Sequence, residues 1–132
     1  MNMRTEIVST GSHVSWFVNL QLRPGAWTAF LALTEEMVAS TEREPGVLVY
    51  ERYVSADRTM VSVYERYVDS AAAMSHLIDF RERYGPRFSA LAERQSFVVL
   101  GEVDEPLKEL LSGFGASLPA SQYAGFAKRK WA

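Results

Sequence analysis

EPGVLVYERYVSADRTMVSVYERYVDSAAAMSHL, from Glu44 to Leu77, is the stretch that decides the fold of this 132-residue chain. Pro45-Gly46 stops whatever helix precedes it. Two runs rich in Val and Tyr follow, Val47 to Val54 and Thr59 to Val68, parted by the polar loop Ser55-Ala56-Asp57-Arg58. That spacing predicts an antiparallel hairpin. Both runs contain the string VYERYV, at Val49 to Val54 and Val63 to Val68, an offset of 14 residues. Stacked repeat units recur every 20 to 50 residues or so, so the duplication reflects sheet packing or coincidence. Whether Glu51 and Glu65 share a sheet face depends on hairpin register, because a one-residue slip turns a strand over. Asp69-Ser70 then caps a helix over Ala71 to Tyr84, with Ala73, Leu77, Phe80 and Tyr84 as its inward stripe.

Upstream, Val14 to Leu22 alternates, with Val14, Trp16, Val18, Leu20 and Leu22 on one side and Ser15, Phe17, Asn19 and Gln21 on the other. Period-two patterning of this kind is a strand. After Pro24-Gly25 the period changes. Over Ala26 to Arg43, Trp27, Phe30, Leu31, Thr34, Met37, Val38 and Thr41 recur at helical spacing, which predicts an amphipathic helix. Downstream, Gly85-Pro86 opens a further helical stretch over Arg87 to Arg94, and Ser96 to Leu100 is a fourth strand. Its unbroken run Phe97-Val98-Val99-Leu100 predicts burial on both faces.

Three segments result. Residues 1–13 are a polar N-terminal arm, with a short strand at Glu6 to Ser9. Residues 14–101 form the domain. Residues 102–132 hold a helix, Glu105 to Leu111, capped by Asp104, and an extended tail with spaced apolar residues Phe114, Leu118, Tyr123, Phe126 and Trp131. Too many of these are apolar for a free terminus, so the tail is expected on a partner subunit or over a cavity mouth. The core order β-α-β-β-α-β makes the fold α+β and ferredoxin-like, a four-stranded antiparallel sheet with both helices on one face. The other face still carries apolar side chains. An uncovered face of that kind marks an interface, and a twofold homodimer is the commonest closed solution.

Composition removes several functions. Apolar residues make up 48% of the chain, and 16 acidic against 14 basic residues leave a formal charge of −2. That is a globular balance without the basic stripe of a nucleic-acid binder. There is no cysteine, so thiolate metal sites and Cys nucleophiles are excluded. No apolar run reaches the roughly 20 residues that span a bilayer. The N-terminus lacks the apolar segment of a secretory signal, so a soluble cytoplasmic protein is expected. His13 and His76 are far apart with no carboxylate at ligand spacing, and no metal site is expected. Lys128-Arg129-Lys130 reads as a solvated basic cluster.

The Glu44 to Leu77 stretch resembles the antibiotic biosynthesis monooxygenase superfamily of dimeric α+β barrels. The resemblance rests on Pro45-Gly46 entering the second strand and on Glu65-Arg66-aromatic ending the third. Asp69, the small residues that open the helix, and His76-Leu77 complete it. It implies two sheets packed as a dimeric barrel and a pocket between helices and sheet in each protomer. It further implies a cofactor-independent monooxygenase that oxidises a phenolic or polycyclic aromatic with dioxygen, without metal or flavin. Two rivals share the architecture: a non-catalytic small-molecule-binding or structural dimer, and an isomerase or cyclase.

Such chemistry needs an apolar pocket, a base for a phenol and an anchor for the resulting oxyanion. The candidate catalytic residues are His76, Tyr67, Glu65 and Asn19. His76 matches the helical His of the family, and an imidazole with an intrinsic pKa near 6.5 accepts protons near neutrality. Glu65 and Tyr67 share a strand face. Asn19 could orient a carbonyl or oxyanion, but alternation puts it on the face opposite Trp16. Trp16, Val18, Trp27, Leu77 and Phe80 are the candidate pocket wall. Haem-degrading relatives use an Asn, a Trp and a His. Here Tyr67 stands in the Trp place and Asn19 is one residue out of phase, which argues against haem degradation.

Overall fold

The computed structural model describes residues 7–8 and 11–128. Arg129, Lys130 and Trp131, and most of the N-terminal arm, lie outside those residues. A four-stranded sheet forms from β2 (Val14–Leu22), β3 (Val47–Val54), β4 (Met60–Tyr67) and β5 (Ala92–Gly101), and a short pair from β1 (Ile7–Val8) and β6 (Ala127–Lys128). Four helices accompany them: α1 (Trp27–Thr41), α2 (Ser70–Arg83), α3 (Gly85–Leu91) and α4 (Glu105–Gly113). The sheet order is β3-β4-β2-β5 with every neighbouring pair antiparallel, the ferredoxin-like arrangement.

The core lies between helices and sheet. Val14, Trp16, Val18 and Leu20 of β2, Val61 and Val63 of β4, and Phe97 and Val99 of β5 pack with Phe30 of α1, Ala73 and Leu77 of α2, and Leu107 and Leu111 of α4. Each of the larger side chains contributes about 1.5–3 kcal/mol by leaving water. Gly46 lets α2 sit close to the sheet: a Cβ there would lie 2.5 Å from the Ala72 Cβ. Pro45-Gly46 and the small residues at the start of α2 are therefore two halves of one close contact. Asp69 fixes the same helix end by accepting from the Ala72 N–H at 2.9 Å.

Three sequence expectations are corrected. In α1 the buried line is Phe30, Leu33, Met37 and Thr41, while Leu31 and Val38 are exposed. Both stand about 100° around the helix from a buried neighbour, beyond the arc that reaches the sheet. The stretch 92–94 is strand rather than helix: α3 ends at Leu91 and β5 begins at Ala92. Val98 and Leu100 are exposed, so β5 is buried on one face of this chain rather than on both. The tail, for its part, pairs with the sheet edge. Ser117 N–H donates to Phe97 C=O, Ala120 N–H to Val99 C=O and Gly101 N–H to Ala120 C=O, extending the sheet beyond β5 in parallel. Leu118, Tyr123 and Phe126 remain exposed.

Candidate active site

Alternation along β4 turns Val61, Val63, Glu65 and Tyr67 toward the helices. Glu65 is thus a carboxylate in an apolar layer, and its surroundings answer the cost of placing it there. Its Oε1 accepts from Trp16 Nε1–H at 3.0 Å and from the Tyr67 hydroxyl, and its Oε2 accepts from Arg52 Nη2 at 2.9 Å. His76 of α2 is buried with its Nε2 3.6 Å from Glu65 Oε1. The other ring nitrogen, Nδ1, lies 3.2 and 3.3 Å from the two carboxylate oxygens of Glu44. A carboxylate only accepts, so the Glu44 contact uses a proton on Nδ1, while Nε2 is turned to the interior on the side of Glu65 Oε1. Arg52 in turn stacks over Tyr50, 3.6 Å from the ring centre, and Tyr50 meets His76 edge-on.

Burial alone pushes the Glu65 carboxyl up, but Arg52, His76 and the Tyr67 hydroxyl together outweigh it and hold it below the ordinary carboxylate range. Burial and the adjacent Glu65 charge push the Tyr67 phenol well above its ordinary value. Burial pushes Tyr50 up as well. At neutral pH Glu65 is a carboxylate anion, held by the neutral phenol and indole donors of Tyr67 and Trp16 and paired with the Arg52 guanidinium cation.

Beside this cluster is a cavity of about 40 Å³. Its walls are Trp16, Val18, Val63, Leu77 and the aromatic set Phe80, Phe88, Phe97 and Phe114, with Arg52, Glu65, His76 and Arg94 as its polar groups. Phe80 meets Phe88 edge-on at 5.1 Å and Phe114 at 6.5 Å.

The segment from β2 to the middle of α2, residues 15–78, matches the model of the antibiotic biosynthesis monooxygenase family. The chain belongs to that family. Rv0793 from Mycobacterium tuberculosis is 30% identical, over 71% of this chain and 98% of its own, with a TM-score of 0.55. MupZ from Pseudomonas fluorescens shares the fold at 20% identity and a TM-score of 0.78, over 91% of this chain and 92% of its own. A crystal structure of an antibiotic biosynthesis monooxygenase is 23% identical over 69% of this chain and 99% of its own, with a TM-score of 0.60. No curated protein matches the chain. The MupZ likeness is too long to end with β5, so it includes part of the segment after Gly101.

Within this family domain, the structure brings His76, Glu65 and Tyr67 together around one carboxylate, with Trp16, Val18, Leu77 and Phe80 on the cavity wall. Asn19 is elsewhere. It lies on the helix-free face, accepting from Ser62 Oγ–H at 2.9 Å and donating to Ser96 Oγ at 3.1 Å, because its neighbours Val18 and Leu20 point inward. Trp27 is also away from the cavity, half-buried at the start of α1 under the Arg58 guanidinium. It precedes the buried line of the helix by nearly a turn.

Two residues of the cluster went unnamed in the sequence. Arg52 is the cation that Glu65 requires, and the register Tyr50↔Glu65, Arg52↔Val63 puts it on the inner face while Glu51 points out. Glu44 stands in the loop beside Pro45-Gly46. The only advance signal for either is the rule that a buried charge needs a partner. Among the described residues, no cluster of three or more His, Asp or Glu is placed to hold a metal ion. A larger, open hollow of about 700 Å³ lies on the helix-free face, where Arg66 donates to His13 Nδ1 and the tail forms the far wall. Among the described residues it contains no buried acid or base.

Proposed function

We propose that this chain is a homodimeric monooxygenase that oxidises a phenolic or polycyclic aromatic with dioxygen to a quinone, with no metal or flavin. The observation that carries this reading is His76, held at Nδ1 by Glu44 with Nε2 facing an aromatic-walled cavity. Nε2 takes the acidic proton of the substrate, and the carboxylates flanking the ring meet the positive charge it acquires. The electron-rich carbanion then forms a C–O bond with dioxygen to give a peroxide. Cleavage of the O–O bond leaves one oxygen as the new carbonyl and the other departs as water. Two hydrogens leave the substrate and one oxygen joins it, so atoms and electrons balance. Glu65 has its oxygens taken by Trp16, Tyr67 and Arg52, and its role is to hold the site rather than to move the proton.

An apolar cavity of roughly 150 Å³ takes a benzene ring, so the aromatic wall here must part for a substrate. Phe114 supports that view, since it belongs to the segment after α4 rather than to the sheet. Dimerisation is supported by Phe17 and Val98, each 43% exposed, and by Leu100 on the helix-free face.

Oxygen uptake with anthrone tests the activity. One dioxygen consumed per anthraquinone formed supports it. Saturable binding of aromatics without uptake across a panel of anthrones and hydroquinones places the chain with the non-catalytic members of its architecture.

A further inference from the structure

The polar groups of the cavity do not balance. Arg52 and Glu65 neutralise each other at 2.9 Å. Arg94, the second guanidinium on the wall, has neither a hydrogen bond nor an ion pair among the described residues. The acid next to it in sequence, Glu93, faces Arg23 instead. The Arg94 head lies 5.7 Å from the Phe97 ring centre and 5.5 Å from that of Phe114. Ring contacts of this kind answer part of its charge and leave its five N–H donors unspent. Arg94 is exposed overall, yet desolvation of the head lowers its pKa.

Its position also needs an irregularity. Asn19 pairs with Ser96 but Leu20 pairs with Arg94, so Gln95 is an extra residue in β5. Counting inward from Phe97 by strict alternation would turn Gln95 to the helices and Arg94 to the open face. The bulge reverses that phase and puts Arg94 on the cavity side, beside inward-facing Leu20 and Ala92. Bulges re-aim side chains in this way beside active sites.

We infer that Arg94 is an anion anchor at the mouth of this cavity, and that the ligand is an apolar aromatic bearing a carboxylate. The inference rests on the cavity being the ligand site of the proposed function, but not on the oxidation step. A guanidinium presents two parallel donors that match the two oxygens of a carboxylate. The aromatic body would enter between Phe97 and Phe114 with the charged end left at the rim.

The test is binding of 2-naphthoate against its neutral isostere 2-naphthamide, by calorimetry on the full chain in anaerobic buffer. The expected result is naphthoate binding at least about tenfold more tightly, as one tenfold step corresponds to a single good charge-assisted pair. Arg94→Met should abolish that preference while leaving naphthamide affinity unchanged, and Arg94→Lys should keep part of it. Equal affinities in the unmodified chain, a preference that survives in Arg94→Met, or no saturable naphthoate binding would each overturn the anchor. Oxygen uptake is read separately. A carboxylate preference without uptake on any aromatic removes the oxygenase and keeps the anchor, and uptake indifferent to the carboxylate does the reverse.

Discussion

Arg52 Nη2 lies 2.9 Å from Glu65 Oε2, and the two residues come from the two copies of the hexapeptide VYERYV. The identical strings face opposite ways. In β4 the Glu of the motif points inward, whereas in β3 Tyr50 and Arg52 do so and Glu51 is exposed on the other face. The cause is register: Tyr50, and not Glu51, pairs with Glu65. A hairpin shifted by one residue would bury two carboxylates together and expose the guanidinium.

Breaking this pair from one side should be worse than removing it. Arg52→Met leaves Glu65 buried without its cation and should destabilise the chain by about 3 kcal/mol in urea unfolding. Adding Glu65→Gln should recover part of that loss. Strictly additive losses in the double-mutant cycle would show that the two do not interact.

The same pair sets an acid limit. The folded-state pKa of Glu65 lies below the ordinary 4.5, so below that value the unfolded chain binds more protons than the folded one. Its contribution is complete above about pH 4.5 and drains away as pH falls through the folded pKa. Arg52→Met removes the strongest lowering influence, so its acid-unfolding midpoint should move to higher pH in a fluorescence titration. An unmoved midpoint would show that Arg52 does not hold the carboxylate ionised.

For the proposed chemistry, His76→Ala should lower kcat by about 10²-fold or more, the usual worth of a positioned base. Glu44→Gln should lower it by about tenfold with KM little changed, because the ring stays in place but loses its orienting anion. Oxygen-electrode kinetics on anthrone read both. Full activity in His76→Ala would take the base role away from this residue.

Dimerisation should bury well above the roughly 1,200 Å² that marks specific interfaces. Light scattering is expected to give twice the chain mass at micromolar concentration, and Phe17→Asp with Val98→Asp should halve it. A single-chain mass for the unmodified protein would exclude the dimer.

Removing residues 113–132 strips the hydrogen bonds that Ser117 and Ala120 donate to β5, leaves the Gly101 N–H without its acceptor and takes Phe114 from the cavity wall. The melting temperature should fall by several degrees and binding of a hydrophobic dye should rise. An unchanged melting curve would show the tail to be an idle appendage.

The order of elements and the inward face of β2 were legible because hydrophobic period is a local property: Val14, Trp16, Val18 and Leu20 alternate whatever lies across from them. The same alternation separated Asn19 from Trp16. His76, Glu65 and Tyr67 stood out through short motifs and one shared strand face. Three things required the tertiary structure. Arg52 reaches Glu65 only through a register that neither copy of VYERYV encodes. Glu44 and His76 are 32 residues apart and meet only because Gly46 lets α2 close on the loop. Arg94 faces the cavity through one extra residue in β5, where Glu93-Arg94 read as the end of a helix. Periodicity fixes which way a side chain points within its own element, while partners across a sheet or a loop are chosen by the packing of the whole core.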